Sequence, residues 1–135
     1  MMFLGIDTSA QTASVAVCDE SKIIVTASLN TGLTHSQTLL PMIESILTAS
    51  NIKLSDIDAF AVSKGTGSFT GIRIGVSAIK GFSYANNKPC VGVSTLEALA
   101  FNMQGFDGII CPVMDARRNQ VYNALFENGQ RICED

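Results

Sequence analysis

Residues 59–84 read AFAVSKGTGSFTGIRIGVSAIKGFSY, and the reading of this stretch decides the fold class. The run from Ala59 to Val62 is short and apolar, as a buried strand is. A glycine-rich turn follows at Gly65, Gly67 and Gly71, and beyond it Ile72, Val76, Ile79 and Phe82 recur at helical spacing. Strand, glycine loop and helix in that order predict an α/β unit whose loop can offer backbone N–H groups to an anion. The loop matches neither common phosphate fingerprint. It lacks the third glycine of G-x-G-x-x-G, and no Lys-Ser/Thr pair completes a P-loop. A phosphate cradle and a purely structural loop both stay open.

The helix after the loop is more informative. At about 100° per residue, Arg73, Ser77, Lys80 and Tyr84 share one narrow sector. The rest of its circumference is apolar or glycine, roughly twice the stripe needed to cover one sheet. Gly75 and Gly81 each cost about 1 kcal/mol relative to alanine in a helix interior, so close approach by another backbone is expected in compensation. Residues 36–50 form an earlier helix with Leu39, Leu40, Met42, Ile43, Ile46, Leu47 and Ala49 on its apolar side. Pro41 is expected to delay or kink its first turn. This helix too is more apolar than one sheet requires.

Outward toward the N-terminus, residues 3–6, 14–18 and 23–29 read as strands joined by short turns, hence antiparallel neighbours. Toward the C-terminus, Pro89 follows the end of the helix, residues 90–93 form a further strand, and Ser94 caps a short helix over 95–103. The order β-β-β-α-β-α-β-α predicts an α/β fold with a mixed sheet flanked by helices. Residues 105–108 read as a junction dividing a first domain (1–104) from a second (105–135). Strands at 109–114 and 120–126 and an Asn128-Gly129 hairpin turn open that second domain. The chain is expected to be a fragment that stops inside it.

The 135 residues suffice for one domain with a core, and 47% of them are hydrophobic against 16% charged. No apolar run approaches the ~20 residues of a membrane span. The opening Met-Met-Phe-Leu-Gly-Ile-Asp7 does not read as a signal peptide, and a cytoplasmic location is expected. Cys18, Cys90, Cys111 and Cys133 form no C-x-x-C pair; the first three have strand-like neighbours and are expected to be buried thiols. A net charge of −3 with nine Lys plus Arg argues against an autonomous nucleic-acid binder.

Few residues stand out chemically. Asp7-Thr8-Ser9, ending the first strand, could hold Mg²⁺ and phosphate; a turn acid with two hydroxyls is the plainer reading. His35 is the only histidine, and Leu39 stands where a metal-binding helix would carry a second, so a solvated or cap-forming role fits it better. Ser36 and Ser68 lack a recognisable His/Asp constellation. Asp115 with Arg117 and Arg118 is a charged site or an exposed hairpin end. No catalytic residue and no metal site is expected.

Four blocks taken together are specific: Gly5-Ile-Asp-Thr-Ser9, Thr34-His-Ser-Gln-Thr-Leu-Leu-Pro41, Gly65-Thr-Gly-Ser-Phe-Thr-Gly-Ile-Arg73 with Ala78-Ile-Lys-Gly81, and Met114-Asp-Ala-Arg-Arg-Asn-Gln-Val-Tyr122. In this order they resemble the bacterial TsaB (YeaZ) family of tRNA threonylcarbamoyladenosine biosynthesis proteins, over the whole chain. The resemblance implies an actin-like (ASKHA, ribonuclease H-like) fold and a non-catalytic partner of the paralogous transferase TsaD. With TsaD and the ATPase TsaE, such a protein serves the transfer of threonylcarbamoyl to the adenosine beside the tRNA anticodon. The His-x-x-x-His metal helix of TsaD is absent here, and Asp115-Ala-Arg-Arg118 replaces its glycine-rich phosphate segment. No cofactor is therefore expected, and the replacement weighs against ATP or ADP. If a nucleotide bound, Asp7, Thr8, Ser9, Gly65 and Gly67 would be its candidates.

The resemblance also implies that the two helices form the surface for the TsaD heterodimer and for homodimers, with tRNA reached only through the complex. On the apolar arcs this surface is expected at Leu39, Met42, Ile43, Ile46, Ile72, Gly75, Ile79 and Phe82. The alternative is an actin-like ATP-binding enzyme, a small kinase or ATPase using Asp7 and the loop from Gly65 to Gly71.

Overall fold

The structure, a computed structural model, describes residues 1–133. Its main sheet has five strands: β1 (Met2–Asp7), β2 (Ala13–Asp19), β3 (Ile23–Leu29), β4 (Ala59–Ser63) and β5 (Cys90–Val93), in the order β3-β2-β1-β4-β5. The first three are antiparallel neighbours, while β4 lies parallel to β1 and β5 parallel to β4. Alternation sets the faces. Leu4 and Ile6 of β1 and Val15 and Val17 of β2 turn one way and are buried.

Two helices close that face. Helix α1 (His35–Ala49) makes the crossover from β3 to β4, and α2 (Phe69–Asn86) the one from β4 to β5. Ser68 Oγ accepts the Gly71 N–H at 3.2 Å to start α2, and Asn87 ends it in the left-handed conformation (φ 50°). Pro41 lies inside α1, which begins at His35. The expected delay of the first turn is not there: α1 runs unbroken from His35 through the proline, which lacks an N–H and leaves the Gln37 carbonyl without its usual donor.

Helix α3 (Thr95–Phe101) is capped as expected, Ser94 Oγ accepting the Glu97 N–H at 3.4 Å. It packs elsewhere. Leu96 and Ala100 join Ala124 and Phe126 in a second, smaller cluster with Ile110, Met114 and Cys133 against it. Five short strands follow: β6 (Ile109–Ile110), β7 (Val113–Arg117), β8 (Gln120–Asn123), β9 (Phe126–Glu127) and β10 (Gln130–Arg131). The strand expected over 109–114 is split at Cys111-Pro112, where a proline without an N–H cannot continue a ladder, and its halves enter different sheets. Residues 120–126 divide likewise at Ala124-Leu125. The cysteine expectation is corrected: Cys90 and Cys111 are exposed and Cys18 half-buried, because β5 is an edge strand and Cys111 sits in the break.

Candidate functional site

The turn after β1 and the glycine loop after β4 meet and build one seat. Asp7 Oδ1 accepts both the Ser9 N–H (2.8 Å) and the Ser9 hydroxyl (2.6 Å), tightening the turn. The Ser9 carbonyl accepts the Ser68 N–H at 2.7 Å, and the buried Thr8 hydroxyl donates to the Gly71 carbonyl at 2.6 Å. His35, at the start of α1, lies 2.6 Å from the Ala10 carbonyl through Nε2 and presses its ring toward Gly71.

The glycines explain how a helix comes this close. Gly67, Gly71 and Gly75 recur every fourth residue, and a Cβ at each would overlap Ser9 O, Thr8 O and Thr8 Oγ1 respectively. Gly67 also has a φ of 145°, which side-chain-bearing residues resist. The glycine ridge is therefore a socket for Thr8 and Ser9. Of the residues named for a nucleotide, Thr8, Ser9 and Gly67 are packed against one another. One oxygen of Asp7 is committed to Ser9, and the Gly65 carbonyl accepts the Thr95 N–H at 2.7 Å. Among the described residues no group of three His, Cys, Asp or Glu side chains is placed to hold a metal ion.

The residues named for a partner surface need correction. Leu39, Met42, Ile43, Ile46 and Ile79 are buried in the main core, Gly75 faces Thr8 and Val62 of its own sheet, and Ile72 and Phe82 are half-buried. The apolar arcs are wide because α1 and α2 cover the sheet and also pack against each other. The outward face is different. It carries Phe69 (75% exposed), Arg73, Ser77, Lys80, Gly81 and Tyr84 (92% exposed) on α2, and Leu40 (54% exposed) on α1. The Arg73 guanidinium lies 5.1 Å from the centre of the Phe69 ring. The narrow polar sector read from the sequence is this face. A signal for the ridge was present in the four-residue glycine spacing, but nothing in it named Thr8 as the neighbour.

The other charged motif is the β7–β8 hairpin. Its stem is tied to the glycine loop by the Thr66 hydroxyl, 3.8 Å from Met114 Sδ, and its tip exposes Arg117 and Arg118. Asp115 Oδ1 accepts the Arg117 N–H at 2.7 Å.

Comparison with known proteins places this arrangement. A family model described as TsaD: tRNA N6-adenosine threonylcarbamoyltransferase matches residues 30–135. The chain is 39% identical over 134 residues to the tRNA threonylcarbamoyladenosine biosynthesis protein TsaB of Bacillus subtilis (strain 168), covering 99% of this chain and 58% of that protein. The solved structure of YeaZ from Pseudomonas aeruginosa matches with a TM-score of 0.82 at 32% identity, over 96% of this chain and 62% of that one. The chain thus spans less than two thirds of the length of these relatives. Thermus thermophilus RuvC, with a TM-score of 0.51 at 13% identity over 80% of this chain and 73% of that one, shares the fold alone. The mixed sheet, its order and these likenesses agree with the expected actin-like, ribonuclease H-like fold, and the chain belongs to the TsaD-related family, among its TsaB/YeaZ members.

Proposed function

We propose that this chain is a partner subunit without chemistry of its own in the complex that makes threonylcarbamoyladenosine in tRNA. It binds and activates a TsaD-like transferase, with a TsaE-like ATPase joining the full complex. Family membership supports the pathway. The observation that carries the subunit reading is the filled seat: at the turn and glycine loop named for the ATP-binding alternative, Thr8 and Ser9 are buried against Gly67, Gly71 and Gly75. The ATP-binding alternative would need those same groups free.

The partner face follows from the outward side of α2. Gly81 is exposed, and a Cβ there would meet nothing within 4 Å, so no contact inside this chain offsets its weak helix propensity. A partner helix resting at Gly81, between Ser77 and Tyr84, supplies the missing close contact. Phe69, about three turns earlier on the same helix, adds exposed apolar area. The same face pairs two copies of the chain when the paralogue is absent.

Gel filtration of the chain with the TsaD-like protein of its own organism tests this directly. Wild type is expected to co-elute, and Gly81→Leu to elute apart while keeping its circular dichroism. A folded Gly81→Leu that still co-elutes puts the interface elsewhere. ATP turnover by the chain alone that disappears on Asp7→Ala would overturn the non-catalytic reading.

A further inference from the structure

Three consecutive residues at the tip of the β7–β8 hairpin are left-handed: Arg117 (φ 63°), Arg118 (54°) and Asn119 (59°). The register pairs Arg117 with Gln120, so Arg118 and Asn119 form the two-residue loop, which requires positive φ at both positions. Arginine is poorly suited there, having a Cβ and no short polar group to offset it locally. The same chain builds its β9–β10 turn from Asn128 (50°) and Gly129 (76°), which take up this geometry readily. Hairpin geometry alone therefore does not call for arginine at 117 and 118.

Their charge is also unanswered. Both side chains are exposed, and neither takes part in an ion pair among the described residues. The adjacent acid, Asp115, gives Oδ1 to the Arg117 backbone instead. Two planar guanidinium forks on adjacent residues, without a counter-charge among the described residues, match phosphate oxygens in charge and geometry. The tie from Thr66 to Met114 holds the hairpin stem against the loop that leads into α2, near the end carrying Phe69 and Arg73.

We propose that the Arg117–Arg118 tip grips backbone phosphates of the tRNA held by the complex. This rests on the tRNA-modification reading above. Two such contacts give this acidic chain a local grip on RNA without making it an autonomous binder.

The test uses backbone amide NMR of the chain alone, at low salt, with an unmodified tRNA anticodon stem-loop as the probe. Shifts are expected at residues 117–119 and should vanish in the double variant Arg117→Gly/Arg118→Gly. That variant is expected to unfold at the same or a higher temperature, whereas Arg117→Lys/Arg118→Lys keeps the shifts. With the TsaD-like protein present, raising salt from 50 to 200 mM is expected to weaken wild-type tRNA binding by about tenfold more than it weakens the glycine variant. A folded glycine variant that keeps both the shifts and the salt slope overturns the proposal. Equal shifts with inorganic phosphate or ATP at the same concentration would reassign the tip to a small phosphate ligand and overturn the RNA assignment. Lost co-elution with the TsaD-like protein, with stem-loop shifts elsewhere on the chain unchanged, would make it a protein contact instead. Stem-loop shifts at the tip of a chain that fails to co-elute with the TsaD-like protein would leave this proposal standing and defeat the subunit reading.

Discussion

Gly71 and Gly81 sit on the same helix in opposite circumstances. Gly71 is buried with its missing side chain aimed at the Thr8 carbonyl, whereas Gly81 is exposed to open space. Gly71→Ala is therefore expected to destabilise by about 1–3 kcal/mol, since a methyl there must push β1 and α2 apart. Gly81→Ala should stabilise by about 0.5–1 kcal/mol through helix propensity alone. Urea denaturation of the two variants checks the pair, and equal signs would show that the ridge is misplaced. At this scale the sequence was half legible. A close backbone neighbour was expected at both Gly75 and Gly81: at Gly75 the neighbour is the Thr8 side chain of the same chain, and at Gly81 there is none. Periodicity measures how wide an apolar arc is and is silent about which part of it meets the molecule's own sheet. That is why Leu39, Ile43 and Ile79 looked available to a partner and are in fact core.

Among elements, β1, β4 and the α2–β5 connection converge on one carboxylate. Asp58 accepts the Met2 N–H at 2.7 Å and lies 3.7 Å from Lys88 Nζ. The Met2 N–H first, and then the Lys88 charge, hold its carboxyl below the ordinary aspartate range. A carboxylate depressed in the folded state contributes stability that is present above that range and lost as pH falls through the lowered value. Asp58→Asn is thus expected to lower the melting temperature at pH 7 and to differ less from wild type at pH 3. A gap that widens on acidification would contradict the assignment. Asp19 is depressed for a similar reason, chiefly by the Ser21 hydroxyl with help from backbone N–H groups. Strand and helix identities in the first half were legible because alternation and helical period are strong there. The C-terminal strands were not, since runs of two to five residues carry too little periodicity and Pro112 breaks one of them unseen.

Across the whole molecule the two clusters are unequal. The main core draws on four strands and two helices, while the second is held by Leu96, Ala100, Ala124 and Phe126. A groove of about 590 Å³ beside it is lined by Ala100, Phe101, Met103, Phe106, Ile110 and Phe126. Phe101 is 67% exposed. Apolar surface of this kind promotes association. Phe101→Ser/Phe106→Ser is expected to remove species larger than the α2-face dimer in sedimentation velocity without loss of helix content. Larger species that persist in the variant would show that the groove does not associate. The seat beneath α2 also has a consequence in time. Its hydrogen bond from Thr8 to Gly71 spans 63 residues, and two of the glycines that admit it, Gly71 and Gly75, lower the helix propensity at the start of α2. During synthesis the N-terminal hairpin leaves the ribosome long before Gly71 exists. Its hydroxyl turn stays open to water until Gly71 has been made, so the seat can close only late in synthesis, with β5 still to follow.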